Sequence, residues 1–128
     1  NDPGIAKRLF DAFKVGRAAI VAGAYDVRDA QANILKLQLS KVIGYKSVDY
    51  LEGYMSKMAA GNTADAFHAL SEGYGFIMSL QFTNDGNDAP YFTKAEVDAM
   101  LSKLSNFWNV NNSDLTSMVS QIKSKMSI

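Results

Sequence analysis

The chain has 128 residues, 48% of them hydrophobic and 20% charged, enough for one domain to bury a single core without disulfides or metal. Thirteen basic residues balance thirteen acidic ones, and no Lys/Arg cluster restores locally the electrostatic footprint that a nucleic-acid binder needs. There are no cysteines, which excludes disulfide, thiolate and zinc-thiolate chemistry, and no apolar run approaches the roughly 18 to 20 residues that cross a bilayer.

The opening Asn1-Asp2-Pro3-Gly4 lacks an initiator Met and runs directly into a helical pattern. It suggests an internal cut point, with the chain a fragment or processed form and any targeting segment upstream. From Ile5 the residues Leu9, Phe13 and Ile20, with Phe10 and Val21, recur at helical spacing and predict one buried helix face. Gly23 should end this helix. Asp26 is placed to cap a second, with Asp29 three positions on to interact with its amides.

The second helical stripe runs from Val27 through Ile34, Leu37, Ile43, Leu51 and Met58 to Gly61, with a bend or break expected at Gly44. Asn62 or Thr63 then caps a third helix that reaches about Phe82. The stretch from Thr83 to Phe92 is dense in Asn, Asp, Gly and Pro, so it predicts a loop. Thr93-Lys94-Ala95-Glu96 has the form of a capping box, opening a fourth helix expected to reach Trp108. A polar break from Asn109 to Ser113 precedes a fifth helix marked by Leu115, Val119, Ile122 and Met126. No segment alternates as a strand would. Residues 1–128 therefore read as a single all-α domain, an antiparallel bundle of about five helices.

His68 and Glu72 are the main polar candidates, since residues four apart share a helix face and could offer an imidazole and a carboxylate to one metal ion. The competing account is a polar pair that supports the bundle. Gly73 and Gly75, inside the same helix, suggest close approach of another helix rather than a ligand channel. Arg17 interrupts an apolar stretch; pairing with Asp29, Asp26 or Glu72 would make it structural, and Arg17 with Arg28 could instead bind an anion. Arg17, Arg28 and Asp29 together form a candidate polar network.

Asn84-Asp85-Gly86-Asn87-Asp88 has some likeness to a calcium loop but lacks its alternating ligands and terminal Glu, so turn chemistry is the expectation. Tyr45, Tyr50 and Tyr54, with Met55 and Met58, suit a packed helix edge or a partner surface. Catalytic parts are missing: there is one His and no Cys, no Gly-x-Ser-x-Gly elbow, no His-Glu-x-x-His and no Gly-rich phosphate loop.

Three ordered segments carry a resemblance. Gly16-Arg17-Ala18-Ala19-Ile20, Tyr25-Asp26-Val27-Arg28-Asp29-Ala30-Gln31 and His68-Ala69-Leu70-Ser71-Glu72-Gly73-Tyr74-Gly75-Phe76 are similar to the C-terminal half of an imelysin-like bacterial envelope protein, in a branch known only as a domain of unknown function. The resemblance implies two related helical-bundle halves, of which this chain supplies the second. It also implies secretion, commonly as a lipoprotein, with a periplasmic or outer-membrane, exterior-facing location. Imelysin relatives are associated with uptake of iron or other metals, and some carry a peptidase label. Their signature spaces His and Glu three apart; here Ser71 takes that position and the carboxylate comes one residue later, at Glu72.

The resulting expectation is a non-enzymatic envelope protein that binds a ligand, with a divalent metal or iron as the candidate cofactor. The alternative is a structural or protein-interaction domain without a small-molecule ligand; a metallopeptidase is the third reading. The expected partners are the missing N-terminal half or a second copy of the chain, in a homo-oligomer that covers exposed apolar surface.

Overall fold

The computed structural model describes residues 4–128; Asn1, Asp2 and Pro3, where the sequence suggests a cut point, lie outside the described residues. Among these the chain is all-helical, with five α-helices: α1 Gly4–Ala22, α2 Tyr25–Ala59, α3 Thr63–Ser79, α4 Lys94–Lys103 and α5 Asn112–Met126. Two short 3-10 turns, Leu80–Phe82 and Phe107–Asn109, follow α3 and join α4 to α5. No helix among the described residues is long and apolar enough to cross a membrane.

The helix ends follow local chemistry. Gly23 sits at φ +69°. The following amide, of Ala24, donates to the Ala19 carbonyl at 2.8 Å, which closes α1 as a C-terminal glycine does. The expected Asp26 cap is not used. Helix α2 already begins at Tyr25 behind Ala24, which offers no capping side chain, and Asp26 falls in the first turn, where its charge faces the positive helix end. The Asn62 side chain caps α3 by accepting from the Asp65 amide. Thr93 and Glu96 form the full capping box: Thr93 Oγ1 accepts from the Glu96 amide at 3.2 Å and Glu96 Oε2 accepts from the Thr93 amide at 2.9 Å.

Two elements differ from the sequence pattern. Helix α2 passes through Gly44 unbroken. A Cβ there would lie 2.5 Å from Met126 Sδ and 3.1 Å from Ile128 Cδ1, so this glycine admits the end of α5 rather than bending its own helix. Helix α4 stops at Lys103 instead of reaching Trp108. The Asn106 side chain accepts from the Trp108 amide at 3.0 Å, a local bond that replaces helical continuation.

The core lies between the second half of α2, α3, α4 and α5. Leu51, Leu70, Ile77, Leu80, Phe92, Val97, Leu104, Leu115, Ile122 and Met126 form one cluster at 0% or 1% exposure. No residue of α1 belongs to it. Helix α1 folds back along the first half of α2, with Gly16 beside Gln31, and buries Ala12 and Ala19.

Candidate functional site

Helix α1 has three faces at helical spacing. Leu9, Ala12, Gly16 and Ala19 turn toward α2, and the three small ones, Ala12, Gly16 and Ala19, bring the two backbones close. Lys7, Asp11 and Lys14 form a polar edge, with Lys7 paired to Asp11 at 2.6 Å. The third face is open and mostly apolar, with Arg17 set among its large side chains. Phe10 is 66% exposed, Phe13 60%, Ile20 56% and Val21 85%. These are the residues that the pattern marked for burial, and the structure reverses that expectation. The buried face is built from the small residues between them, because Ala and Gly allow a closer helix contact than Phe does.

Between the helices of this hairpin runs an apolar groove of about 350 Å³. Ala12, Gly16 and Ala32 line it beside Phe13, Ile20, Val21 and Leu35, and Arg17 and Arg28 reach into it. On the same side of α2, one turn beyond Leu35, Leu39 is 52% exposed, and it borders a second hollow next to the open Phe82. Large apolar side chains grouped along a surface in this way mark a place where something else packs.

The polar candidates fall in different places. Arg28 Nε donates to Asp29 Oδ1 at 2.7 Å, and its guanidinium lies 4.8 Å from the centre of the Tyr25 ring. Arg17 is in the same groove but is exposed, and no ion pair joins it to Asp29, Asp26 or Glu72 among the described residues. His68 and Glu72 share a face of α3, far along the chain from the hairpin. Their nearest atoms, Nε2 and Oε1, are 3.9 Å apart, with the His68 side chain 73% exposed. No group of three or more His, Cys, Asp or Glu side chains able to hold a metal ion occurs among the described residues.

Gly73 has the expected close neighbour, since a Cβ there would lie 3.2 Å from Tyr50 Cβ; Gly75 has open space around it. Tyr50 stacks on Phe76, and Tyr54 is buried with its hydroxyl donating to the Phe107 carbonyl at 3.3 Å. Burial pushes the Tyr54 phenol above its ordinary pKa. Tyr45 and Met58 stay largely open. The Asn84–Asp88 stretch is turn chemistry. Asn84 Oδ1 accepts from the Gly86 amide and Asp85 Oδ1 from the Asn87 amide, each at 2.7 Å, while Asp88 pairs with Lys36.

The geometry defines an all-α helical bundle whose α1–α2 hairpin leaves an apolar face open, with no metal-holding cluster among its described residues. The family model "Domain of unknown function (DUF4856)" matches residues 1–128, and the chain belongs to that family. No curated protein and no solved structure matches the chain.

Proposed function

We propose that this chain is a non-enzymatic helical interaction domain that docks through the open face of the α1–α2 hairpin. The observation that carries this reading is the exposure of Phe10, Phe13, Ile20 and Val21 along one side of α1, where Arg17 is the charged residue set among them. Single exposed apolar side chains are ordinary on a protein surface, but four large ones along one side of a helix mark a contact surface. The setting we assign, the bacterial cell envelope on its periplasmic or outward side, rests on the resemblance to imelysin-like proteins. A ligand-binding role in metal or iron uptake has less support. His68 and Glu72 supply two donors at the surface, whereas a bound transition metal usually takes about four.

The docking reading is tested by placing a photo-crosslinking residue at Phe13 and, separately, at Asp11, on the other side of the hairpin, in cells that make the protein. The Phe13 position should give one discrete crosslinked species and Asp11 none. Equal yields from the two positions, or none from either, would remove the hairpin face from the function.

A further inference from the structure

We infer that the occupant of the hairpin face is a second copy of this chain, the two hairpins closing face to face into an antiparallel four-helix bundle. The inference rests on the docking reading above and names the partner. Four features of the molecule favour a copy of itself.

The first is topology. Two antiparallel helices joined by the short Gly23 turn are half of a four-helix bundle, and a twofold axis through the open face supplies the other half. The second is shape. An isologous interface needs projection and hollow on one surface, because each patch meets its own image. Here Phe10 projects, 66% exposed, while the groove beside Ala12, Gly16 and Ala32 is hollow. Phe10 lies six residues before Gly16, about 9 Å along the helix at the α-helical rise. A twofold axis near Phe13, midway between them, brings each Phe10 to the level of the partner's groove along the helix axis.

The third is area. Phe10, Phe13, Ile20, Val21, Tyr25 and Leu39 together expose on the order of 800 Å², the share per partner of a standard stable interface. The fourth is charge. The chain has a formal net charge of +0, so two whole copies meet without net repulsion, although Arg17 of each copy lies at the face itself. Arg28 is already paired with Asp29, and Arg17 can lay its stem along the groove while its guanidinium stays in water.

The experiment is sedimentation of the whole chain across micromolar concentrations, with Phe10→Asp, Phe13→Asp and Asp11→Lys beside the unaltered protein and helicity checked for each. An apolar fluorescent dye reports whether the face is open. The expected result is a dimer that Phe10→Asp and Phe13→Asp each weaken by at least about tenfold, while Asp11→Lys leaves it intact. A dimer indifferent to both phenylalanine changes would sit on another face and overturns the proposal. A monomer whose dye binding is lost on Phe10→Asp also overturns it, but leaves a docking face for a different partner. A monomer that binds no dye removes the docking reading as well.

Discussion

The two halves of α2 do different work. Its second half contributes Val48, Leu51 and Tyr54 to the core shared with α3, α4 and α5, where large side chains interlock at near-zero exposure. Its first half meets α1 through small and polar residues. Gly16 lies against Gln31, and Gln38 is buried at 7% exposure with its Oε1 unpaired among the described residues. Such an orphaned acceptor costs on the order of 1 to 3 kcal/mol. The packed half is therefore held by its own contacts. The hairpin is held by a thin seam, with its bulk turned outward.

The largest effect should come from truncating the core. Leu70 is fully buried, so Leu70→Ala should destabilise by about 3 to 4 kcal/mol, from lost transfer energy and the cavity left behind. Phe13→Ala removes more atoms yet should cost the monomer less than about 1 kcal/mol, since its ring is already mostly in water. Chemical denaturation at concentrations low enough to hold the chain monomeric compares the two. Equal losses would mean that Phe13 is packed within its own chain, which would erase the contrast between the halves.

A smaller effect marks how α4 and α5 are tied together. Lys125 pairs with Glu96, the same carboxylate that closes the capping box. The hydrogen bond from Lys125 and those from Thr93 hold the Glu96 carboxyl down to about 2. Because its folded pKa lies below the unfolded one, its contribution to stability is fully present above the ordinary carboxylate range. It is lost as pH falls from that range through about 2. Titration of Glu96 followed by NMR should give that low midpoint, and Lys125→Met should move it upward. A midpoint that does not respond to the substitution would deny Lys125 its place in the tie between α4 and α5.

What was legible in the sequence divides along the same line. The Thr93–Glu96 capping box, the Gly23 terminus and the Thr83–Phe92 loop could be read directly, because each is fixed by residues adjacent in sequence. The core of α3 and α5 was legible too, since Leu70, Ile77, Leu115 and Ile122 obey the rule that a regular apolar stripe turns inward. The role of Gly44 was not, because its reason is Met126, a residue 82 positions away. Nor was the open face of α1. Its periodicity is that of a buried stripe, and periodicity cannot say whether the covering surface belongs to the same chain. One signal was available: Ala12, Gly16 and Ala19 also repeat at helical spacing, and small residues in that register mark a closer contact than Phe10 and Phe13 could make.

The smallest expected effect falls on the residue pair that first drew attention as a site. His68 and Glu72 lie on the exposed side of α3, one turn apart, while Ala69, Leu70 and Gly73 on the same helix turn inward. An exposed pair at 3.9 Å gains little Coulomb energy in water and gives up side-chain freedom to stay aligned. His68→Ala should therefore leave stability within about 0.5 kcal/mol of the unaltered chain. Calorimetric titration of the metal-stripped protein with iron, zinc, copper and calcium ions sharpens the test, because stability alone does not report on ligation. The heats should be the same with and without His68. Tight binding that vanishes in His68→Ala would mean that a further donor joins this face, and the search for function would move from the hairpin to α3.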